Sequence, residues 1–204
     1  MNLIREYRPE DEARTRACII ELQDFCKQID PQIGAGKAVV DQYFAYLLKQ
    51  CAETEGKIYL AESDHQVIGM VCVFARVQSV AADEEDYQYA HISDLVVLAD
   101  KRNQGIGRSL LKRAEEHARS KGAKILRIGT QAGNAIARDL YLGYGFKEKA
   151  VMMQKEITPP RRTRYLTAVS ESRQVGIATG FLQCAALAAL FESGDASPHS
   201  KVSR

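Results

Sequence analysis

The sequence predicts an α/β domain with a mixed, largely antiparallel central sheet, one parallel pair of core strands and helices on both faces. Three observations predict it. Two β-rich runs, Lys57 to Ser63 and Val67 to Val77, flank the short polar connection Asp64-His65-Gln66, the pattern of an antiparallel hairpin. The run His91 to Leu98 is followed by a glycine turn, a helix and a second apolar run, Lys124 to Thr130. Two strands joined across a helix lie parallel. Segments of strand and helix period follow one another in the order βααββ, β, βα, βαββ, which calls for helices on both faces of one sheet.

Bulk properties bound the reading. The 204 residues suit one domain with an appendage, and 46% hydrophobic with 26% charged residues is the balance of a soluble globular protein. A net charge of +2 gives no ground for a nucleic-acid partner. Cys18, Cys26, Cys51, Cys72 and Cys184 are odd in number and lack the paired spacing of zinc sites, so no metal is expected. They read as buried thiols in a reducing compartment, which points to the cytoplasm. Met1 to Asp11 is charged and contains no apolar signal core.

Taken in order, Leu3 to Tyr7 alternates as a strand, and Pro9-Glu10-Asp11-Glu12 supplies the proline and acidic first turn of a helix. Cys18, Leu22, Phe25, Cys26 and Ile29 form its apolar stripe, which Asp30 to Gly36 interrupts. A second helix shows Val40, Tyr43, Phe44, Leu47, Leu48 and Cys51 on one face. After the hairpin, Ala81 to Tyr89 carries Asp83, Glu84, Glu85 and Asp86 in a row, read as a solvated loop or, more sharply, an acidic rim for a cationic amine. Leu110, Leu111, Ala114 and Ala118 recur at helical spacing, and Gly122 is a natural stop. Asn134 opens a helix with Ala137, Arg138 and Tyr141 on its face. Phe146 to Lys149 and Val151 to Ile157 read as two closing strands. Residues 1–157 thus form the domain and 158–204 an extension, with a Pro-Pro-Arg-Arg linker, an apolar alanine-rich segment from Gln174 to Phe191 and a polar tail. That segment is interrupted and marginal in length for a bilayer, so membrane insertion is not expected; packing on the domain or on a second subunit, as a homodimer, is.

The glycine turn carries the first chemical signal. A helix start offers about four unpaired amides and a partial positive charge of roughly half an electron. Phosphate binds there. Gly105 and Gly107 let an anion approach the backbone, and Arg102 and Arg108 add charge. The dinucleotide-binding fingerprint would need a third glycine where Leu110 stands.

Arg102-x-x-Gly105-x-Gly107 after a strand, followed by Asn134-x-x-Ala137-x-x-x-Tyr141-x-x-x-Gly145-Phe146, resembles the GNAT superfamily of acyl-CoA-dependent N-acetyltransferases over roughly residues 1 to 157. The resemblance implies that the two parallel strands splay apart with the help of a bulge. The pantetheine arm of acetyl-CoA would lie in that gap, expected here between Leu95-Val96-Val97 and Leu126-Arg127-Ile128. It further implies that the pyrophosphate rests on the turn from Arg102 and Asn103 through Gln104, Gly105, Ile106, Gly107 and Arg108. Asn134 would bond the pantetheine arm, and Tyr141 would act as the general acid.

Acetyl transfer by direct attack requires a neutral amine, a stabilised oxyanion and a proton for the departing thiolate. Relatives place a glutamate on the strand before the turn, and the matching position is His91, with Asp94 the nearest carboxylate. An odd spacing of three puts the two on opposite faces of a regular strand, and a bulge between them would change this. His91 is therefore expected as the base-side residue and Asp94 as its reserve. The resemblance implies a primary amine as acceptor, on a small molecule or on a protein. The reading from another class is a catalytically silent acyl-CoA-binding regulatory module.

Overall fold

The computed structural model describes residues 3–79 and 87–157. The acidic run Asp83 to Asp86 and the whole extension 158–204 lie outside the described residues. Five strands and four helices follow in the order β1 (Leu3–Glu6), α1 (Glu12–Ile29), α2 (Gly36–Glu53), β2 (Lys57–Ser63), β3 (Gln66–Gln78), β4 (Gln88–Val97), α3 (Ile106–Ser120), β5 (Leu126–Ile128) and α4 (Ala135–Tyr144), with short 3-10 turns at Pro9–Asp11 and Ala99–Lys101. The sheet order is β1-β2-β3-β4-β5. The first three pairings are antiparallel and β4–β5 is parallel, the mixed sheet expected from the sequence.

The sheet separates two apolar clusters. On one face α1 and α2 bury Cys18, Ile19, Tyr43, Phe44 and Leu47 against Leu60, Met70, Cys72, Phe74 and Val96. On the other, Ile106, Leu110, Leu111 and Ala114 of α3 pack on Tyr59, Val71, Val73 and Ile92, with Leu95, Val97, Leu140 and Tyr141 partly buried at the margin. Period explains both: alternate residues of β3 and β4 serve opposite faces, while the 3.6-residue repeat of α3 aims one stripe at the sheet. The β2–β3 hairpin turns on Asp64 and His65, both with positive φ, a conformation that suits tight two-residue turns. Among the described residues no helix is long and apolar enough to cross a membrane.

Two expectations need correction. Gln88 and Tyr89 belong to β4, not to a preceding loop, so the strand is longer than its β-branched centre suggests. The closing strands expected at Phe146 to Lys149 and Val151 to Ile157 are absent: this stretch has no regular structure, and Val151, Met152, Met153 and Ile157 are exposed. Apolar residues alone do not make a strand, because each strand needs a ladder partner, and β5 offers only three residues before Gly129. Gly145, at φ 115°, also turns the chain sharply after α4.

Candidate active site

The parallel ladder between β4 and β5 is short. Ala90, His91 and Ile92 pair with Leu126, Arg127 and Ile128, and β5 then ends. From Ser93 to Val97, β4 keeps β3 on one side and, among the described residues, has no strand on the other. The open edge thus faces the residues after Ile128. That moves the expected gap by several positions, because Leu126 to Ile128 lie beside Ala90 to Ile92 and not beside Leu95 to Val97.

A bulge sits where the ladder ends. Cys72 of β3 is opposite Asp94, while its neighbour Val73 is opposite Ile92, so Ser93 is the extra residue. The bulge shifts side-chain parity. His91, opposite Phe74, and Asp94, opposite Cys72, consequently both face the α1–α2 side of the sheet, as their odd spacing alone would forbid. Asp94 is fully enclosed: the Tyr43 hydroxyl of α2 donates to its Oδ1 at 2.9 Å and the Ser93 hydroxyl to its Oδ2 at 2.7 Å. Desolvation raises the Asp94 carboxyl to about 6 against the two hydrogen bonds, which favour its charged form. His91 is also buried, and its Nε2 has no hydrogen-bond partner among the described residues. Burial first, then the nearby Arg127 charge, lower His91 to about 4, so the ring is neutral at physiological pH and weakly basic.

Tyr141 lies across the sheet from these groups, on α4 beside the cluster under α3, edge-on to Phe146 with centroids 6.0 Å apart. Its neighbour Tyr144 is committed elsewhere. The Tyr144 hydroxyl donates to Glu115 Oε2 at 2.7 Å, tying α4 to α3, and burial with that carboxylate pushes its hydroxyl to about 12. Asn134 caps α4, its Oδ1 accepting from the Ala137 amide at 3.1 Å and its amide NH2 remaining as a donor.

The glycine turn suits an anion. Asn103 and Gly105 have φ of 61° and 77°, and Gly105 serves as N-cap of α3 without any side-chain cap. Among the described residues no protein acceptor meets the amides of Ile106, Gly107 and Arg108. A Cβ on Gly105 would meet no heavy atom within 4 Å, so the space over the turn is open. Gly107 differs: its Cβ would come 3.1 Å from the Leu140 side chain, so a larger residue there would press on the contact between α3 and α4. The arginines are turned to the protein. Arg102 Nε donates to the Val97 carbonyl at 3.0 Å and its guanidinium lies over Phe25, while Arg108 donates to the Gly143 carbonyl at 2.7 Å and stacks on Tyr144. They contribute fixed charge near the turn in place of a direct grip. An open edge of β4 for an extended arm, leading to bare amides and an open glycine, is a fit for a pantetheine-pyrophosphate chain.

Leu95, Val96 and Val97 line that edge alternately toward the two clusters. Sequence reasoning passed over Tyr43, Ser93 and Arg127. Two of them carried a signal: a tyrosine in an apolar stripe needs a hydroxyl partner, and an arginine amid Ile125, Leu126 and Ile128 breaks an apolar run.

Comparison with known proteins agrees with this geometry. The chain is 28% identical over 145 residues to the uncharacterized N-acetyltransferase YhfO of Bacillus subtilis, spanning 71% of this chain and 89% of that one. It is 32% identical over 98 residues to an aminoalkylphosphonate N-acetyltransferase of Salmonella typhimurium, 48% of this chain and 61% of the relative. The fold matches the solved structure of AAC(6')-Iy in complex with a bisubstrate analog of CoA and acetylneamine, at a TM-score of 0.57 and 18% identity over 77% of this chain and 99% of that one. The family model of the acetyltransferase (GNAT) family matches residues 19–146, the span from α1 through α4 that holds the bulge, the glycine turn and Tyr141, and the chain belongs to that family of N-acetyltransferases.

Proposed function

We propose that this enzyme transfers an acetyl group from acetyl-CoA directly to the primary amine of a small molecule, with Asp94 as the base and Tyr141 as the acid. The observation that carries the assignment is the Ser93 bulge, which turns Asp94 to the α1–α2 face at the point where β4 loses its β5 partner. Acetyl-CoA supplies the activated acetyl thioester. The amides of Ile106, Gly107 and Arg108 hold its pyrophosphate, and the free edge of Leu95 to Val97, with the Asn134 amide group, orients its arm.

The acceptor amine arrives as ammonium. Asp94, ionised above about pH 6, takes up its proton directly or across one water, and Tyr43 and Ser93 hold the carboxylate in place. The amine nitrogen then bonds to the acetyl carbon, the carbon–sulfur bond breaks, Tyr141 gives its proton to the departing sulfur, and the second proton of the new amide nitrogen passes through water to restore the Tyr141 hydroxyl. Lying on opposite sides of the sheet at one gap, Asp94 and Tyr141 fit opposite ends of this proton path. His91 is replaced as the favoured base because, at about 4, it is a weaker acceptor near neutral pH. Small-molecule acceptors are supported by the Salmonella relative, an aminoalkylphosphonate N-acetyltransferase, and by the structural match, whose bisubstrate analog carries acetylneamine. The odd set of five cysteines supports a cytoplasmic location.

The test is release of free thiol from acetyl-CoA across an amine panel. An accepted amine should show kcat/KM rising with pH through about 6, a limb that Asp94→Asn removes together with most of the turnover. Tyr141→Phe should lower kcat without weakening acetyl-CoA binding. Binding of acetyl-CoA with no thiol release from any amine would favour the silent regulatory module.

A further inference from the structure

Arg127 is a cation at the centre of β5, and among the described residues nothing around it answers its charge. It pairs in register with His91 and lies 4.2 Å over the Tyr89 ring and 5.2 Å over the Tyr87 ring. One terminal nitrogen donates to the Tyr87 hydroxyl. Its Nε is buried without a partner, and among the described residues no carboxylate stands within ion-pair reach of it. Ring faces fix the plane of a guanidinium but do not neutralise it, and an unmet buried donor is costly. Beside it, the imidazole Nε2 of His91, nine-tenths buried, is likewise unpartnered. Two orphaned polar groups on adjacent strands thus meet on the face that carries Asp94.

Resting on the acetyltransferase reading above, we propose that Arg127 determines acceptor specificity by binding an anionic group, a carboxylate or phosphonate, carried by the amine substrate. The flat fork of a guanidinium matches such groups through two parallel hydrogen bonds. Spacing agrees. With Ser93 bulged, His91 and Asp94 are two regular strand positions apart, roughly 7 Å, the reach of an amine a few bonds from its anion. The phosphates of acetyl-CoA are a different ligand, because roughly 20 Å of strand separates His91 from the glycine turn after Val97. The specificity runs against the cationic amine that an acidic rim at Asp83 to Asp86 would draw.

The experiment compares β-alanine, 2-aminoethylphosphonate, ethanolamine and putrescine as acceptors in the thiol-release assay, with the full chain. Wild-type kcat/KM should favour one of the two anionic amines over ethanolamine by tenfold or more; which one leads separates carboxylate from phosphonate. Arg127→Gln should collapse that ratio toward one, chiefly through KM. Arg127→Lys, which keeps the charge and loses the fork, should retain part of it, and this variant carries the test if the glutamine form does not fold. A wild-type preference for ethanolamine or putrescine, or a ratio unmoved in both variants, overturns the proposal. If no amine is acetylated, the acetyltransferase reading fails separately. The anion site is then read by thermal shift with 2-aminoethylphosphonate: stabilisation of the wild type but not of the Arg127 variants supports it, and equal response overturns it.

Discussion

Asp94 and His91 make an unusual pair for the pH dependence of stability, because burial shifts them in opposite directions over the same range. For Asp94 the folded-state value, about 6, exceeds the ordinary 3.8, so its contribution is fully present at low pH and is lost as pH rises through about 6. For His91 the folded value, about 4, lies below the ordinary 6.5; its contribution is present above that ordinary value and is lost as pH falls through about 4. Each displacement is worth about 3 kcal/mol in full, of which about 2 kcal/mol falls between pH 6 and 4. In the wild type the two effects cancel. Removing one exposes the other. In urea unfolding at pH 4, 5, 6 and 7, Asp94→Asn should lose about 2 kcal/mol more than the wild type between pH 6 and 4, and His91→Gln should lose about 2 kcal/mol less. Asparagine can still accept from Tyr43 and donate to Ser93, so the cavity stays filled. Variants whose profiles run parallel to the wild type would refute the burial of these two groups in their neutral forms.

Three further outcomes are expected. Gly105→Asn keeps a residue that tolerates positive φ while placing a side chain in the open space over the glycine turn, so it should cut the thermal stabilisation given by acetyl-CoA; unchanged affinity would remove the phosphate from this turn. Tyr144→Phe should cost about 1 kcal/mol in urea unfolding by breaking the bond to Glu115 and leave turnover intact, whereas Tyr141→Phe should lower turnover; the reverse pattern would exchange the two tyrosines. Truncation after Ile157 removes the alanine-rich segment and should change the mass measured by light scattering, while an unchanged mass with a soluble product would count against self-association through that segment.

Most of the framework was legible in the chain itself. The hairpin at Asp64 and His65, the stripe Leu110, Leu111, Ala114, Ala118 and the glycine entry to α3 depend on local periodicity and turn chemistry, which act within a few residues. Asn134 as a cap and Gly122 as a stop are local too. The acid and base candidates were visible as residue types near the turn. What only the tertiary structure decided is which of them share a face. Ser93 carries no mark of a bulge, since the extra residue exists only relative to the register of β3, and that register sets the side of the sheet on which Asp94 stands. The preference for Asp94 over His91 is likewise non-local: it depends on the depth at which both groups are desolvated, and Tyr43, whose hydroxyl donates to Asp94, is 51 residues away in the chain. The closing strands misled for the same reason. The apolar run Val151 to Met153 is a property of the segment, while a strand is a property of a pair, and β5 ends before it can supply the partner.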